Sequence, residues 1–294
     1  MAVSRQDPRL LDECARKFGI PFAEKRWEDL VSRDDVDAVY IASPVYLHAE
    51  QTLAAIRAGK HVLCEKPMAM DRHEAARMLN AARESEVALG VAYYRRFYPI
   101  VKRIKAILQS GQLGHAVYIR SDNFEPINPM PNQPRYWLMQ PEKSGGGPMM
   151  DMGCHRIEAF TYLLGPVRRV TGSLSNARYK RQVEDTAVAA FEFESGAAGM
   201  LASSHAPGIP TDTLDISCTG GSLHVPVLNG TELHIRDSKA PGQVSIERFE
   251  TLPNVHLPLV EDFMQAVSEQ RQPAVDGAAG LEVTRLLDMI YGKP

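Results

Sequence analysis

Asp37-Ala-Val-Tyr-Ile-Ala-Ser43-Pro44 and His61-Val-Leu-Cys-Glu65-Lys66-Pro67 are short apolar runs, each cut off by polar residues and a proline, as buried parallel strands are. Between them Leu47 to Ala58 has helical periodicity and Gly59 stops it. Beyond them, Asp71 to Ser85 and Val87 to Tyr94 read as another helix and another strand. Such alternation with short loops predicts a parallel sheet covered by helices, with ligands bound at the carboxyl ends of the strands. Upstream, Asp7-Pro8 opens an amphipathic run that Gly19 ends, which predicts a short helix. No Gly-x-Gly-x-x-Gly turn precedes the strands, and that turn is what brings backbone to a pyrophosphate at a helix N-terminus. The first βα unit of a nucleotide-binding fold is therefore expected to be absent.

After about residue 100 the pattern changes. Val101 to Gln109 is helical and Gly114 to Asn123 alternates as a strand, whereas 124–148 is rich in Pro, Gly and Asn. A loop of that length inside a domain is expected to form a lid or a pocket wall. Ala187 to Phe193, Ala197 to Ser203 and Thr213 to Thr219 are strand-like and separated by turn signals, and Leu257 to Gln270 and Gly280 to Tyr291 read as closing helices. The fold class is thus α/β: an incomplete Rossmann-like parallel-sheet domain over residues 1–100, followed over 101–294 by an α+β domain with a large, mostly antiparallel sheet.

The chain has 294 residues, 44% of them hydrophobic, enough for a sizeable core in one or two domains. A net charge of -3 gives no electrostatic case for nucleic acid or anionic membranes, and a small-molecule partner is expected. No apolar run reaches membrane-spanning length and the first residues lack a signal-peptide core, which predicts a cytoplasmic protein. The four cysteines, Cys14, Cys64, Cys154 and Cys218, have neither zinc-site nor disulfide-framework spacing.

Several side chains could carry chemistry. Lys66 follows a strand, where a lysine can act in acid–base work or hold a substrate hydroxyl, and Pro67 restricts the turn that aims it. In Gly145-Gly-Gly-Pro-Met-Met-Asp151-Met-Gly-Cys-His155-Arg-Ile-Glu158-Ala-Phe-Thr-Tyr162, helical spacing places Asp151, His155, Glu158 and Tyr162 on one narrow polar stripe. The rest of that helix is apolar nearly all round, with Arg156 the main exception, so it should be mostly buried. Asp151 and His155 could hold a metal, yet no third ligand lies at suitable spacing, and no metal is expected. Tyr94 and Arg95, at a strand end, suit either a substrate pocket or a structural ion pair. Tyr136 and Trp137 in the long loop could stack on a substrate or anchor the loop. By residue type alone, His48 and His256 read as structural histidines.

The ordered set Asp37 to Pro44, His48, Ala58-Gly-Lys-His-Val-Leu-Cys-Glu65-Lys66-Pro67, Gly145-Gly-Gly147, Asp151-x-Gly153-x-His155 and Val183-Glu-Asp-Thr186 resembles the Gfo/Idh/MocA oxidoreductases. The resemblance covers nearly the whole chain. It implies a Rossmann domain for NAD or NADP and a second domain that supplies substrate contacts and an oligomer-forming sheet, giving a homodimer or homotetramer. It implies catalytic roles for Lys66, Asp151 and His155, with His155 as base and Asp151 orienting it, on a sugar, cyclitol or related polyhydroxy substrate. Cofactor contacts would fall to Ser4, Arg5, Ser43, Pro44, His48, Glu65, Lys66 and Pro67, and substrate contacts to Tyr94, Arg95, Tyr136 and Trp137. Val45 stands where many members have Asn. Ala2 to Arg5 aligns with the end of the second strand, so a central strand would be missing and the sheet would keep unpaired interior edges. An arginine where an acid often binds the ribose 2′-hydroxyl favours NADP. The alternatives are a non-catalytic binding or assembly subunit, or a lyase or isomerase reusing the same acid–base residues.

Overall fold

In the computed structural model, which describes residues 1–293, the two opening motifs become adjacent parallel strands. Strand β3 (Ala38–Ile41) pairs with β4 (His61–Cys64), and β4 with β5 (Leu89–Val91), all parallel. Helix α3 (His48–Arg57) joins β3 to β4 and α4 (Arg72–Glu84) joins β4 to β5. Asp71 caps α4 by accepting from His73 N and Glu74 N at 2.8 and 2.9 Å. The strand expected over 87–94 is confined to Leu89–Val91, because Tyr94–Phe97 turns into a 3-10 helix that leads to α5 (Pro99–Ser110).

At the amino end, β1 (Ala2–Ser4) pairs in parallel with β2 (Phe22–Glu24) across α1 (Pro8–Phe18). Helix α1 starts on an Asp7 side-chain cap and stops at Gly19, whose φ of 62° is left-handed. Strand β2 and helix α2 (Trp27–Val31) were not expected; at three and five residues they are too short to show a period. Among the described residues β1–β2 and β3–β4–β5 form separate sheets.

The second unit is built on β6 (Ala116–Phe124), β7 (Val167–Ser175), β8 (Thr186–Phe193) and β9 (Ala198–Ser204). With β10 (Thr211–Asp212), β11 (Leu214–Cys218), β12 (Gly221–Val225), β13 (Glu232–Asp237) and β14 (Ser245–Arg248) they make a nine-stranded sheet, ordered β14-β13-β12-β11-β6-β9-β8-β7 with β10 on β6. All its pairings are antiparallel except β6 with β9. The loop 124–148 holds a 3-10 turn at Tyr136–Met139 and the short helix α6 (Pro141–Ser144). One π-helical turn, Met149–Gly153, then feeds α7 (Cys154–Leu164).

One face of the large sheet alternates inward: Ala187, Ala189 and Phe191 of β8 and Leu201 of β9 are buried in a core that continues through both units. Helices α8 (Leu257–Ser268) and α9 (Gly277–Tyr291) close the chain. Helix α9 packs on α4 and β5 as well as on α7 and β7, and Val91 N–H donates to Val275 O at 2.9 Å. The end of the chain thereby joins the small parallel sheet to the large one.

Candidate active site

Strands β3 and β4 run in parallel, so their carboxyl ends deliver two turns side by side, Ala42-Ser43-Pro44 and Glu65-Lys66-Pro67. The buried ring of His48, at the start of α3, spans them, with Nε2 2.8 Å from Ser43 O and Nδ1 2.9 Å from Pro67 O. His48 thus fixes the spacing of the turns through its ring nitrogens. Ser43 Oγ donates to Gln51 Oε1 at 2.8 Å. Glu65 accepts from Tyr40 Oη at 2.6 Å and from Lys66 N at 3.1 Å.

The Lys66 ammonium reaches across to the second unit and donates to Asp151 O at 2.7 Å and Oδ1 at 3.0 Å. Asp151 Oδ2 accepts from Arg135 Nη2 at 3.2 Å and lies 3.9 Å from His205 Nε2. Burial alone would raise the Asp151 carboxyl, but the charges of Lys66 and Arg135 outweigh it and hold the group below its ordinary value. Burial pulls the Lys66 ammonium down while Asp151 pushes it further up, so it stays protonated. Lys66, Asp151 and Arg135 line a cleft of about 210 Å³ together with Ser43, Glu65, Pro67, Trp137 and Met150. Tyr136 and Trp137 both pack against the small cluster of Leu138, Met139 and Val183, and Trp137 also faces the cleft.

His155 is buried on the first turn of α7, edge-on to Tyr93 with ring centroids 5.8 Å apart and 4.9 Å from the Tyr94 ring. Burial, then the charges of Arg95 and Lys66, drive its pKa well below the ordinary value, so the ring is neutral. Its Nδ1 has no partner. No hydrogen bond joins Asp151 to His155: the π-helical turn departs from 3.6-residue spacing, and the expected stripe resolves into separate pairs. Asp151 answers Lys66, and Glu158 accepts from Arg96 Nε at 2.6 Å. Tyr162 lies under Arg96, its ring centroid 4.7 Å from the guanidinium carbon. Arg96 is the structural arginine of its pair, and it also donates to Ala274 O.

A model of the oxidoreductase family with an NAD-binding Rossmann fold matches residues 1–93, and one of the Gfo/Idh/MocA C-terminal domain matches 101–224. The 1,5-anhydro-D-fructose reductase of Ensifer adhaerens is 31% identical over 91% of this chain and 80% of its own. The D-xylose 1-dehydrogenase (NADP(+)) 2 of Haloferax volcanii is 31% identical over 99% of this chain and 88% of its own. The chain belongs to the Gfo/Idh/MocA oxidoreductase family. A solved levoglucosan dehydrogenase, in complex with NADH and levoglucosan, superposes with a TM-score of 0.91 at 25% identity, covering 99% of this chain and 86% of that one.

In this Gfo/Idh/MocA chain the structure adds residues that the sequence did not single out. Arg135 carries a left-handed φ of 68°, a costly conformation for a non-glycine residue that occurs at functional sites. His205, fully buried just past β9, receives Arg181 Nη2 at its Nδ1 at 2.9 Å. An arginine only donates, so Nδ1 accepts and the Nε2 hydrogen of the neutral ring faces Asp151. Neither residue sits in a motif, and only tertiary placement brings them to Asp151. Ser4 ends β1 and Arg5 follows it, exposed, away from the residues that line the cleft. Among the described residues no helix is long and apolar enough to cross a membrane, and no group of three metal-ligating side chains occurs.

Proposed function

We propose that this chain transfers a hydride between NAD(P) and a sugar, cyclitol or related polyhydroxy compound. The observation that carries the reading is the Lys66–Asp151 pair, set in a cleft at the carboxyl ends of two parallel strands in a member of an NAD-binding oxidoreductase family. The turns at Ser43-Pro44 and Glu65-Lys66-Pro67 suit a ring-sized group such as nicotinamide, which when bound accepts or supplies the hydride. In the oxidation direction the substrate carbon loses a hydride and its hydroxyl a proton, leaving a carbonyl. His155, neutral and with an unpartnered Nδ1, takes that proton. Lys66 holds the reacting oxygen and stabilises negative charge on it, and Asp151 aims Lys66.

Arg5, exposed at the end of β1, supports NADP over NAD through contact with a 2′-phosphate. The four thiols are free, which supports a reducing, cytoplasmic setting. The uncovered face of the large sheet supports pairing of two copies through it, in a homodimer or a tetramer of such dimers.

The test is Lys66→Met, assayed for NAD(P)-linked turnover over a panel of aldoses and sugar acids, with NADPH and NADH binding followed by fluorescence. Turnover should fall by about 10²- to 10⁴-fold, the usual range for losing a proton-handling group, while coenzyme binding changes little. Full turnover in Lys66→Met would overturn the assignment of that residue. Absence of coenzyme binding to the unmutated chain would overturn the redox reading itself.

A further inference from the structure

Around His155 and Tyr94 the structure gathers buried polar atoms that have no partners. Arg156, fully buried on α7, pairs one guanidinium nitrogen with Asp212, but its Nε and Nη1 are unpartnered. Arg95, 7% exposed, donates from Nη1 to Tyr94 Oη at 3.3 Å and has no partner for Nε. Asn123 on β6 donates to Asp212 Oδ1 at 3.4 Å, leaving its own Oδ1 free. Tyr98 Oη and His155 Nδ1 are unpartnered as well. Proteins rarely leave even one such atom bare, because each loses its hydration without recompense.

The charges point the same way. Three guanidiniums, of Arg95, Arg96 and Arg156, face two carboxylates, of Asp212 and Glu158, and both carboxylates are already engaged. One buried cation is left over. Its field falls on its neighbours: burial and then Arg95 depress both Arg156 and His155. A neutral ligand would leave that charge uncompensated, and a phosphate dianion would overshoot it. A single carboxylate balances it and matches the planar fork of a guanidinium. Tyr94 and Asp212, the latter with 19% of its side chain exposed, are partly open to solvent.

We propose that these unpartnered groups form a carboxylate subsite, and that the substrate is a sugar acid, an aldonic or uronic acid, held by Arg95 and Arg156 with its reacting hydroxyl at His155. This rests on the hydride-transfer reading above, and two measurements separate the two claims. The first is calorimetric binding of D-galacturonate and D-gluconate, against D-galactose and D-glucose, to the full chain, which requires no turnover. The acids should bind and the neutral sugars should bind at least tenfold more weakly. The second is the ratio of kcat/KM for acid over neutral sugar with NAD(P) present.

Arg95→Gln should raise the KM for the acid by about tenfold to a hundredfold, the worth of one charge-assisted hydrogen bond, and bring the ratio towards unity. Arg95→Lys should recover part of it. Arg156→Met should also lose the preference, with a lower melting temperature because it strips the Asp212 carboxylate of its partner, so the Arg95 variants carry the test of the subsite. Equal binding of acids and neutral sugars, tighter binding of D-glucose 6-phosphate than of D-gluconate, or an acid preference unchanged in Arg95→Gln would each overturn the subsite. Coenzyme binding and a Lys66-dependent turnover that ignores the carboxylate would leave the hydride-transfer reading standing and this proposal refuted.

Discussion

Asp151 shows how one residue can be recognised in a sequence while its role there stays hidden. Its spacing to His155 suggested an Asp–His couple, but the carboxylate faces Lys66 on one oxygen and Arg135 and His205 on the other. His205 stays neutral because burial first, then Arg181 and Arg135, push it down to about 4 against the opposing pull of Asp151 and Asp185. Its Nε2 lies 3.9 Å from the Asp151 carboxylate, beyond a direct hydrogen bond, while its Nδ1 accepts from Arg181 Nη2 at 2.9 Å. Replacing His205 with Phe removes the acceptor of the Arg181 hydrogen bond beside Asp151 and should lower kcat/KM by about tenfold, the worth of one hydrogen bond of roughly 1 kcal/mol or slightly more. Gln, which keeps an acceptor for Arg181, should lose less, and an unchanged rate in the Phe variant would reduce His205 to packing. The pH dependence of stability follows from the sign of the Asp151 shift. A carboxyl held below its unfolded value, about 3.9, contributes stability that is full above that pH and is lost as pH falls through the lower folded value. Asp151→Asn removes that contribution, so melting temperatures measured between pH 5 and 3 should fall less steeply in the variant than in the parent. Parallel acid limbs would show that the pair contributes nothing to folding.

At the level of elements, the run Gly145-Gly-Gly147 illustrates what a motif encodes physically. A Cβ on Gly147 would meet Glu184 O at 2.1 Å, while its own N–H donates to Glu184 Oε2 at 2.7 Å. Tyr291 Oη, from the last turn of α9, donates to Glu184 Oε1 at 2.6 Å. The glycines let the chain entering α7 lie flat against the segment before β8, and thus place Asp151 opposite Lys66. Gly147→Ala should cost about 1 to 3 kcal/mol, as overpacking does, because the obstacle is backbone and cannot swing away. A urea titration should show the midpoint falling with little change in slope, and an unmoved midpoint would mean that the contact is slack. The alternation of β3, α3, β4 and α4 could be read because each element carries its own period and stop signal. The turns delivering Ser43 and Lys66 came with it, since strand ends are where such sheets bind ligands. The π-helical turn at Met149–Gly153, the left-handed Arg135 and the approach of His205 and Arg181 could not be read that way. None of them has a local period, and each depends on which distant segment packs beside it. Arg156 looked like the polar exception on an apolar helix, and its partner Asp212 lies on a two-residue strand that no window of sequence reveals.

For the whole molecule, the large sheet poses the remaining physical question, because only one of its faces is covered. Helices α7 and α9 pack on the inner side, while the outer side of β8 and β9 presents Val188 opposite Ala202 and Ala190 opposite Met200. Val188 and Met200 remain 37% and 38% exposed. Farther along the same face polar groups answer one another: Arg120 pairs with Asp122 and Arg248 with Glu232, and His224 Nδ1 lies 2.6 Å from Asp215 Oδ1. The small and apolar strip on β8 and β9 has no such compensation, and a twofold pairing would set it against its own copy, an isologous contact of the commonest oligomer type. An exposed apolar strip of this kind is where contact between copies is expected. Light scattering behind size exclusion should therefore give a mass that is a multiple of the 32.6 kDa chain. Val188→Glu with Met200→Glu would place four carboxylates across the axis, two from each copy, and should return the mass to a single chain. Because both positions are outward-facing, helical and strand content by circular dichroism should stay as it was. A parent protein that runs as a single chain at tens of micromolar would defeat the pairing, as would a double variant that keeps the parent's assembled mass.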